Sequence, residues 1–376
     1  MNLQNVRELF PHIKRNIIYL NHASRGPLCT PVIDSINLAI AEQSTERIDD
    51  YPSFLNLMEE TRELLSKMIN GDPDRIAFLD NTTNAINVLA NGMNWKRGDR
   101  ILLNDIEFPA NVYPFLNLQN EGVEVDFVKS NNGVISAEKI IEAIKPSTKL
   151  ISISGVQFLS GYRVDMELIG KVCREKNIIF SVDAIQALGA VQVDVKKCNI
   201  DFLASGSQKW MLGLQGFAFI YIAKHLQETM QPKNIGWLSV EDAWNLLYYN
   251  LKLKNSALVF QGGTINNFGV YALNSALKLF FDFGLDNIES NVISNSKYII
   301  QNLNELGYSS SLTGLTVLNI GGIVSFAHPK SEEIYRDLAK KKIFISSREG
   351  FIRISPHFYN TKDEIDCLLS ELKKCC

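Results

Sequence analysis

The residues with the clearest chemical content are an acid and an amine, each at the end of an apolar run. Ile178-Ile179-Phe180-Ser181-Val182 leads into Asp183, and Phe202-Leu203-Ala204-Ser205 leads through Gly206-Ser207-Gln208 into Lys209. Apolar runs without alternation read as strands buried on both faces of a parallel sheet. Ligands of open α/β sheets bind beyond the carboxyl ends of the strands, so both side chains belong at one ligand-facing edge. An amine near a carboxylate suits an aldehyde cofactor of the pyridoxal type. The amine condenses with the aldehyde to an imine, and the acid keeps the ring nitrogen protonated and electron-withdrawing. Singly, each residue is ordinary: most lysines are solvated, and most strand-end aspartates cap helices. Lys209 stands apart because it lies between two apolar strands, Phe202–Ser205 and Phe217–Ile222, with Trp210-Met211-Leu212-Gly213 directly after it.

The elements that must position this pair are legible as alternating strands and helices. Strands are expected at Ile17–Leu20, Ile76–Leu79, Arg100–Asn104, Glu124–Val128, Lys149–Ser154, Ile178–Asp183, Phe202–Ser205 and Phe217–Ile222. Helical patterns at Thr83–Asn91, Ala137–Ile144 and Met166–Lys176 separate several of them and end at Gly92, Lys145-Pro146 and Asn177. This alternation argues for an α/β fold with a mostly parallel sheet. Past about residue 225 the pattern changes. Long helices at Asn266–Phe283 and Asn287–Leu306, short strands at Ile323–Phe326, Ile343–Ser346 and Phe351–Ile354, and a last helix at Lys362–Lys374 indicate a second, α+β domain.

Bulk properties remove several function classes. Lys plus Arg total 38 against 41 Asp plus Glu, for a formal charge of −3, and no long basic run suggests a nucleic-acid surface. Apolar runs such as Phe217–Ala223 fall far short of the roughly 20 residues a membrane span needs. Met1–Phe10 has no signal-peptide pattern, so a cytoplasmic location is expected. The six cysteines show no CxxC spacing, which points to reduced thiols and no metal site, with Cys375 and Cys376 frayed and exposed. A nucleotide site would want a glycine-rich turn after the first strand, and Tyr19-Leu20-Asn21-His22-Ala23 has none.

The segments Ser181-Val182-Asp183-Ala184-Ile185-Gln186-Ala187 and Asp201-Phe202-Leu203-Ala204-Ser205-Gly206-Ser207-Gln208-Lys209-Trp210 resemble the class V aminotransferase family, which includes cysteine desulfurases and isopenicillin N epimerase-like proteins. The resemblance extends from Tyr19 to Asn360. It implies the fold type I of pyridoxal-phosphate-dependent transferases: a large domain (16–260) with a mostly parallel seven-stranded sheet, and a smaller α+β domain (1–15 and 261–376). It implies pyridoxal 5'-phosphate (PLP) held on Lys209 and paired with Asp183. Thr82 and Thr83 would hold the phosphate, as a helix N-terminus favours an anion. Phe108 would stack on the ring, Gln186 would meet the phenolic oxygen, and Ser207 and Gln208 would complete the pocket. Thr264 would reach the phosphate of a neighbouring subunit, which implies a homodimer with shared sites. Arg353 would anchor the substrate carboxylate, with Arg348 and Asn21 beside it.

Departures from the family pattern narrow the reaction. Phe108 and Gln208 stand where relatives often carry His, Phe158 replaces an Asn used by desulfurases, and Ser346–Gly350 contains no cysteine to accept sulfur. The expected enzyme acts on a small amino acid through an external aldimine, in the manner of a class V aminotransferase. Alternatives are a cysteine desulfurase or selenocysteine lyase-like activity, another C–S or C–N lyase, an epimerase, and a non-catalytic PLP-binding protein.

Overall fold

A computed structural model describes residues 1–375. Cys376 and the side chain of Cys375, expected to be frayed, lie outside the described residues. In chain order the strands are β1 (Ile18–Tyr19), β2 (Ile76–Leu79), β3 (Arg100–Asn104), β4 (Glu124–Val128), β5 (Thr148–Ser154), β6 (Ile179–Asp183), β7 (Phe202–Gly206), β8 (Ala218–Ile222), β9 (Val324–Ala327), β10 (Ile343–Phe344), β11 (Ser346–Arg348) and β12 (Phe351–Ile354).

Seven of them form one sheet in the order β2-β8-β7-β6-β5-β3-β4. Strands β4, β3, β5, β6 and β7 run parallel, and β8 is antiparallel to both β7 and β2. The sheet is therefore mostly parallel, as expected. Its strands lack polar alternation because neighbouring residues enter two different cores. Ile101, Leu103, Phe202, Ala204, Ile220 and Ile222 pack on one side with helix Thr82–Gly92. Leu102, Leu203, Phe219 and Tyr221 pack on the other, with helices Met166–Lys176 and Asn267–Phe283.

The C-terminal strands form a second, antiparallel sheet in the order β11-β12-β9. Helices Leu285–Glu305, Ser331–Lys340 and Lys362–Leu372 accompany it. The strand expected at Ile343–Ser346 is split at Ile345, since β10 pairs with β1 whereas β11 pairs with β12. Asn21 bridges Ser355 in the same way, so residues 18–21 pair across the boundary drawn at residue 16.

Two helices, Thr30–Ala41 and Tyr51–Ile69, were not foreseen; both pack on helix Asn267–Phe283. In the first, Leu38 and Ile40 are exposed while Val32 and Ala39 are buried, which blurs its apolar stripe. No described helix is long and apolar enough to cross a membrane.

Candidate functional site

The carboxyl ends of five strands deliver chemistry to one edge. Thr82 follows β2, Glu107 and Phe108 follow β3, Phe158 follows β5, Asp183 ends β6, and Lys209 follows β7.

Lys209 sits half-buried in a loop that is closed on itself. The Ser207 N–H donates to the Phe217 carbonyl at 3.0 Å, and Gly213 N–H donates back to the Ser207 carbonyl at 2.8 Å. The Ser207 hydroxyl faces the carbonyls of Leu214 (2.9 Å) and Phe217 (3.0 Å), so it serves this loop. Trp210 is fully buried; its indole N–H donates to Gln186 Oε1 at 2.8 Å, and its carbonyl lies 2.8 Å from His357 Nε2. His357 Nδ1 accepts the Phe358 N–H at 2.8 Å, so its proton resides on Nε2 and donates to Trp210. Burial pulls this imidazole down to about 4. Gly26 approaches from the N-terminal segment, and a Cβ there would stand 2.3 Å from the Lys209 carbonyl.

Asp183 is buried, and its Oδ1 accepts the Ile185 N–H at 3.0 Å. Burial pushes its carboxyl above the usual range, Glu107 adds to that push, and Ile185 N–H and Lys209 oppose it. Burial likewise pulls the Lys209 amine down, against the attraction of Asp183 and with help from Arg353 and Arg348. A protein amine with lowered proton affinity is the form that attacks a carbonyl carbon.

The residues expected at the phosphate fit an anion. Asn81 caps helix Thr82–Gly92 by accepting the Asn84 N–H at 2.8 Å, which leaves the first helical amides free for a ligand. The Thr82 hydroxyl is buried and has no hydrogen-bond partner. Gly206 lies opposite: a Cβ there would come within 2.5 Å of Gln208 Oε1 and 3.2 Å of Thr82 Oγ1. An orphaned buried hydroxyl beside a space that one methyl group would fill is what a bound phosphate would explain. Thr83 is exposed at the same helix start.

At the opposite end Arg353 is buried and forms no salt bridge among the described residues. It donates to Ser346 Oγ (3.1 Å), the Phe158 carbonyl (2.8 Å) and Ser24 Oγ (2.8 Å). Burial pulls it down to about 10, and Arg348 adds to that. Asn21 Oδ1 is buried and unpartnered, and Arg348 is exposed on β11. A dry cation held only by neutral partners is set for an anion from outside. Phe108 lies with its ring centroid 5.6 Å from Lys209 Nζ and 5.4 Å from the Phe158 ring, edge to face. It is 44% exposed, which is not the burial of a core side chain.

Two expected residues stand differently from the rest. The Gln186 amide is already engaged, donating to the Ala23 carbonyl at 3.0 Å as well as accepting from Trp210, which leaves one amide hydrogen for a ligand. Thr264 is exposed and lines a separate cleft with Arg47, Asp50, Tyr51 and Tyr271. Sequence reasoning gave no role to Glu107, Ser24 or His357. For Glu107 the signal was present: an acid between Asn104 and Asn111, just past an apolar strand.

The model for "Aminotransferase class-V" matches residues 18–368. An uncharacterized aminotransferase, YcbU, of Bacillus subtilis (strain 168) is 27% identical over 98% of this chain and 97% of its own. A probable cysteine desulfurase of Borreliella burgdorferi is 32% identical over 84% of this chain and 81% of its own. Among solved structures, an apo cysteine desulfurase from Thermococcus onnurineus NA1 superposes with a TM-score of 0.89 at 24% identity, over 99% of this chain and 97% of its own.

Proposed function

The chain belongs to the class V aminotransferase family of PLP-dependent enzymes, and within it we propose amino-group transfer or lyase chemistry on a small amino acid at Lys209. The observation that carries this reading is the charge gathered at one place: an anion cradle at Thr82 and an amine and acid at Lys209 and Asp183 on the edge of the large sheet, met by the guanidinium of Arg353 from β12 of the smaller sheet, which has no ion-pair partner among the described residues and donates to the Phe158 carbonyl of that edge. A small α-amino acid spans the last two, with its amino group at the amine and its carboxylate on the guanidinium.

When bound, PLP supplies the electron sink that makes a bond at the substrate α-carbon labile. The protein does the rest. Lys209 Nζ would hold the aldehyde end and would be the group that moves a proton at the α-carbon, because Phe108, Phe158 and Gln208 have no transferable proton for that task. Asp183 holds the ring nitrogen, and Thr82, Thr83 and Gln208 hold the phosphate. Arg353 would fix the carboxylate and so orient the α-carbon.

A sulfur-accepting cysteine is lacking among the described side chains near the site. Burial pushes Cys173 up to about 12 and Cys198 up to about 11, which suppresses their thiolates. Cys29 is buried and also raised, and Cys367 lies on helix Lys362–Leu372. The relatives named as desulfurases keep sulfur release as the second reading. We further place the protein in the cytoplasm as a homodimer in which Thr264 completes a neighbour's phosphate site. An exposed apolar segment, with Trp244, Leu246, Leu247, Tyr248 and Tyr249, supports this; Trp244 packs edge-on against Tyr51 in the Thr264 cleft wall.

The test is a spectral screen of amino acids on the PLP-loaded protein, with products assayed as keto acid, ammonia and sulfide. A visible cofactor band that is abolished in Lys209→Ala is expected, with keto-acid formation. A colourless protein after PLP addition would overturn the cofactor reading, and sulfide from cysteine would overturn the ranking of reactions.

A further inference from the structure

Behind Asp183 lies a second buried carboxylate that the reading above leaves without a task. Glu107 is 7% exposed and has no cation within salt-bridge reach among the described residues. Instead, five donors converge on it. Its Oε1 accepts from Asn104 Nδ2, from Ser154 N–H at 2.9 Å and from Gln157 Nε2 at 2.9 Å. Its Oε2 accepts from Asn111 Nδ2 at 3.0 Å and from Ser154 Oγ at 2.5 Å.

The directions of these bonds are fixed from behind. Asn104 Oδ1 is taken by the Ile106 N–H at 3.1 Å, so its amine end must face Glu107. Asn111 Oδ1 accepts from Ser152 Oγ at 2.7 Å, which turns its amine end to Glu107 as well. Ser154 N–H, a backbone group, has no choice. Four of the five partners are N–H groups that can only donate, three on Oε1 and one on Oε2, and the Ser154 hydroxyl completes the set, an arrangement that favours a charged carboxylate.

The same bonds set this charge beside Asp183. Ser154 and Asp183 are paired across β5 and β6, and in parallel strands paired side chains leave on the same face. Ser152 and Ser181, paired two residues earlier, confirm the face with hydroxyls 3.2 Å apart. The charged groups facing Asp183 are Glu107 from the end of β3 and Lys209 from the end of β7.

We propose that Glu107 is a charge-setting residue of this site, acting through Asp183 to keep a proton between Asp183 and the cofactor's ring nitrogen. Losing that proton would leave two unneutralised carboxylates side by side in a buried setting, and their repulsion resists the loss. Glu107 does not itself touch the ring, so it is a positioning residue. The inference rests on the PLP reading given above, and it assigns this chain one more anion than the ring nitrogen requires.

The test uses the holoprotein loaded with PLP labelled with 15N in the ring, whose nitrogen chemical shift reports protonation directly. Glu107→Gln should lose the ring proton about one pH unit lower than the parent protein, the size expected for one buried charge at close range. The Gln amide would face the Asn111 amine, so this variant risks misfolding. Asn111→Ser removes that clash, and the pair Glu107→Gln/Asn111→Ser then carries the charge change in a satisfied network. Asn111→Ser alone should titrate like the parent and the pair about one unit lower. Matching titrations for charged and neutral forms would overturn the inference while leaving the cofactor reading intact. Absence of any bound 15N signal in the parent protein would overturn both.

Discussion

Arg353→Leu should separate binding from folding in an unusual way. In the free protein the guanidinium makes three hydrogen bonds, to Ser346 Oγ, the Phe158 carbonyl and Ser24 Oγ. At about 1.5 kcal/mol each, the lower end for a charged donor, their loss costs roughly 4.5 kcal/mol. Against this stands the desolvation of a buried charge without a counter-ion, several kcal/mol, which the substitution removes. The two nearly cancel, so the unfolding free energy of the apoprotein should change by no more than about 1 kcal/mol. Substrate binding has no such cancellation. Removing one partner of a buried, hydrogen-bonded charge pair costs about 3–5 kcal/mol, which is roughly a 10²- to 10³·⁵-fold loss in kcat/KM. The assay pairs urea denaturation of the apoprotein with kinetics on the best amino acid from the spectral screen and on its decarboxylated amine. The amino acid should lose its advantage over the amine in the variant. If Arg353→Leu weakens both by the same factor, or unfolds the apoprotein, the guanidinium is structural and the carboxylate assignment is wrong.

Thr82→Val replaces an unpartnered hydroxyl by a methyl of the same shape, so apoprotein stability should hold while PLP affinity, measured by equilibrium dialysis, drops about tenfold for one lost hydrogen bond to an anion; equal affinity would remove Thr82 from the phosphate site. His357 is held neutral in the folded state at about 4 against 6.5 unfolded. Below pH 6.5 the unfolded chain binds the extra proton, so stability is full above that pH and falls toward pH 4 by about 3 kcal/mol. Buried His22, also lowered by burial, acts in the same direction. A melting temperature flat from pH 7 to pH 4.5 would contradict the neutral Nε2–H assignment. The double substitution Leu247→Glu/Tyr249→Glu, at side chains 85% and 92% exposed, should halve the sedimenting mass and lower PLP occupancy; a parent protein that already sediments as a fully occupied monomer would dispose of the shared site.

What was legible in the sequence follows from physical range. Strands buried on both faces leave continuous apolar runs, so β2 and β3 stand at the residues expected, and the β-branched and aromatic residues of the edge strand β4 and of β12 place these as well. Asp183 and Lys209 were legible because each ends or follows such a run. Pairings between distant segments leave no local mark: nothing in Ile18-Tyr19 announces β10 as its partner. Glu107 was passed over because a lone acid after a strand reads as a cap, and only the three-dimensional convergence of Asn104, Asn111, Ser154 and Gln157 reveals its confinement. Gln186 shows the converse: its type suited the cofactor, and the fold adds what its type could not show, that half of its hydrogen-bonding capacity goes to Trp210 and Ala23.

The three bonds of Arg353 have a consequence for how the protein is made. They join residues 24, 158 and 346 to residue 353, and β1 waits for β10 in the same way. In chain order the seven-stranded sheet that carries Asp183 and Lys209 is complete at β8, well before Arg353 on β12 or the β10 strand that pairs with β1. On the function proposed above, the amine and the guanidinium that would hold the two ends of an amino acid are thus separated by about 140 residues of chain, and only the packing of the smaller sheet against the larger brings them into one site.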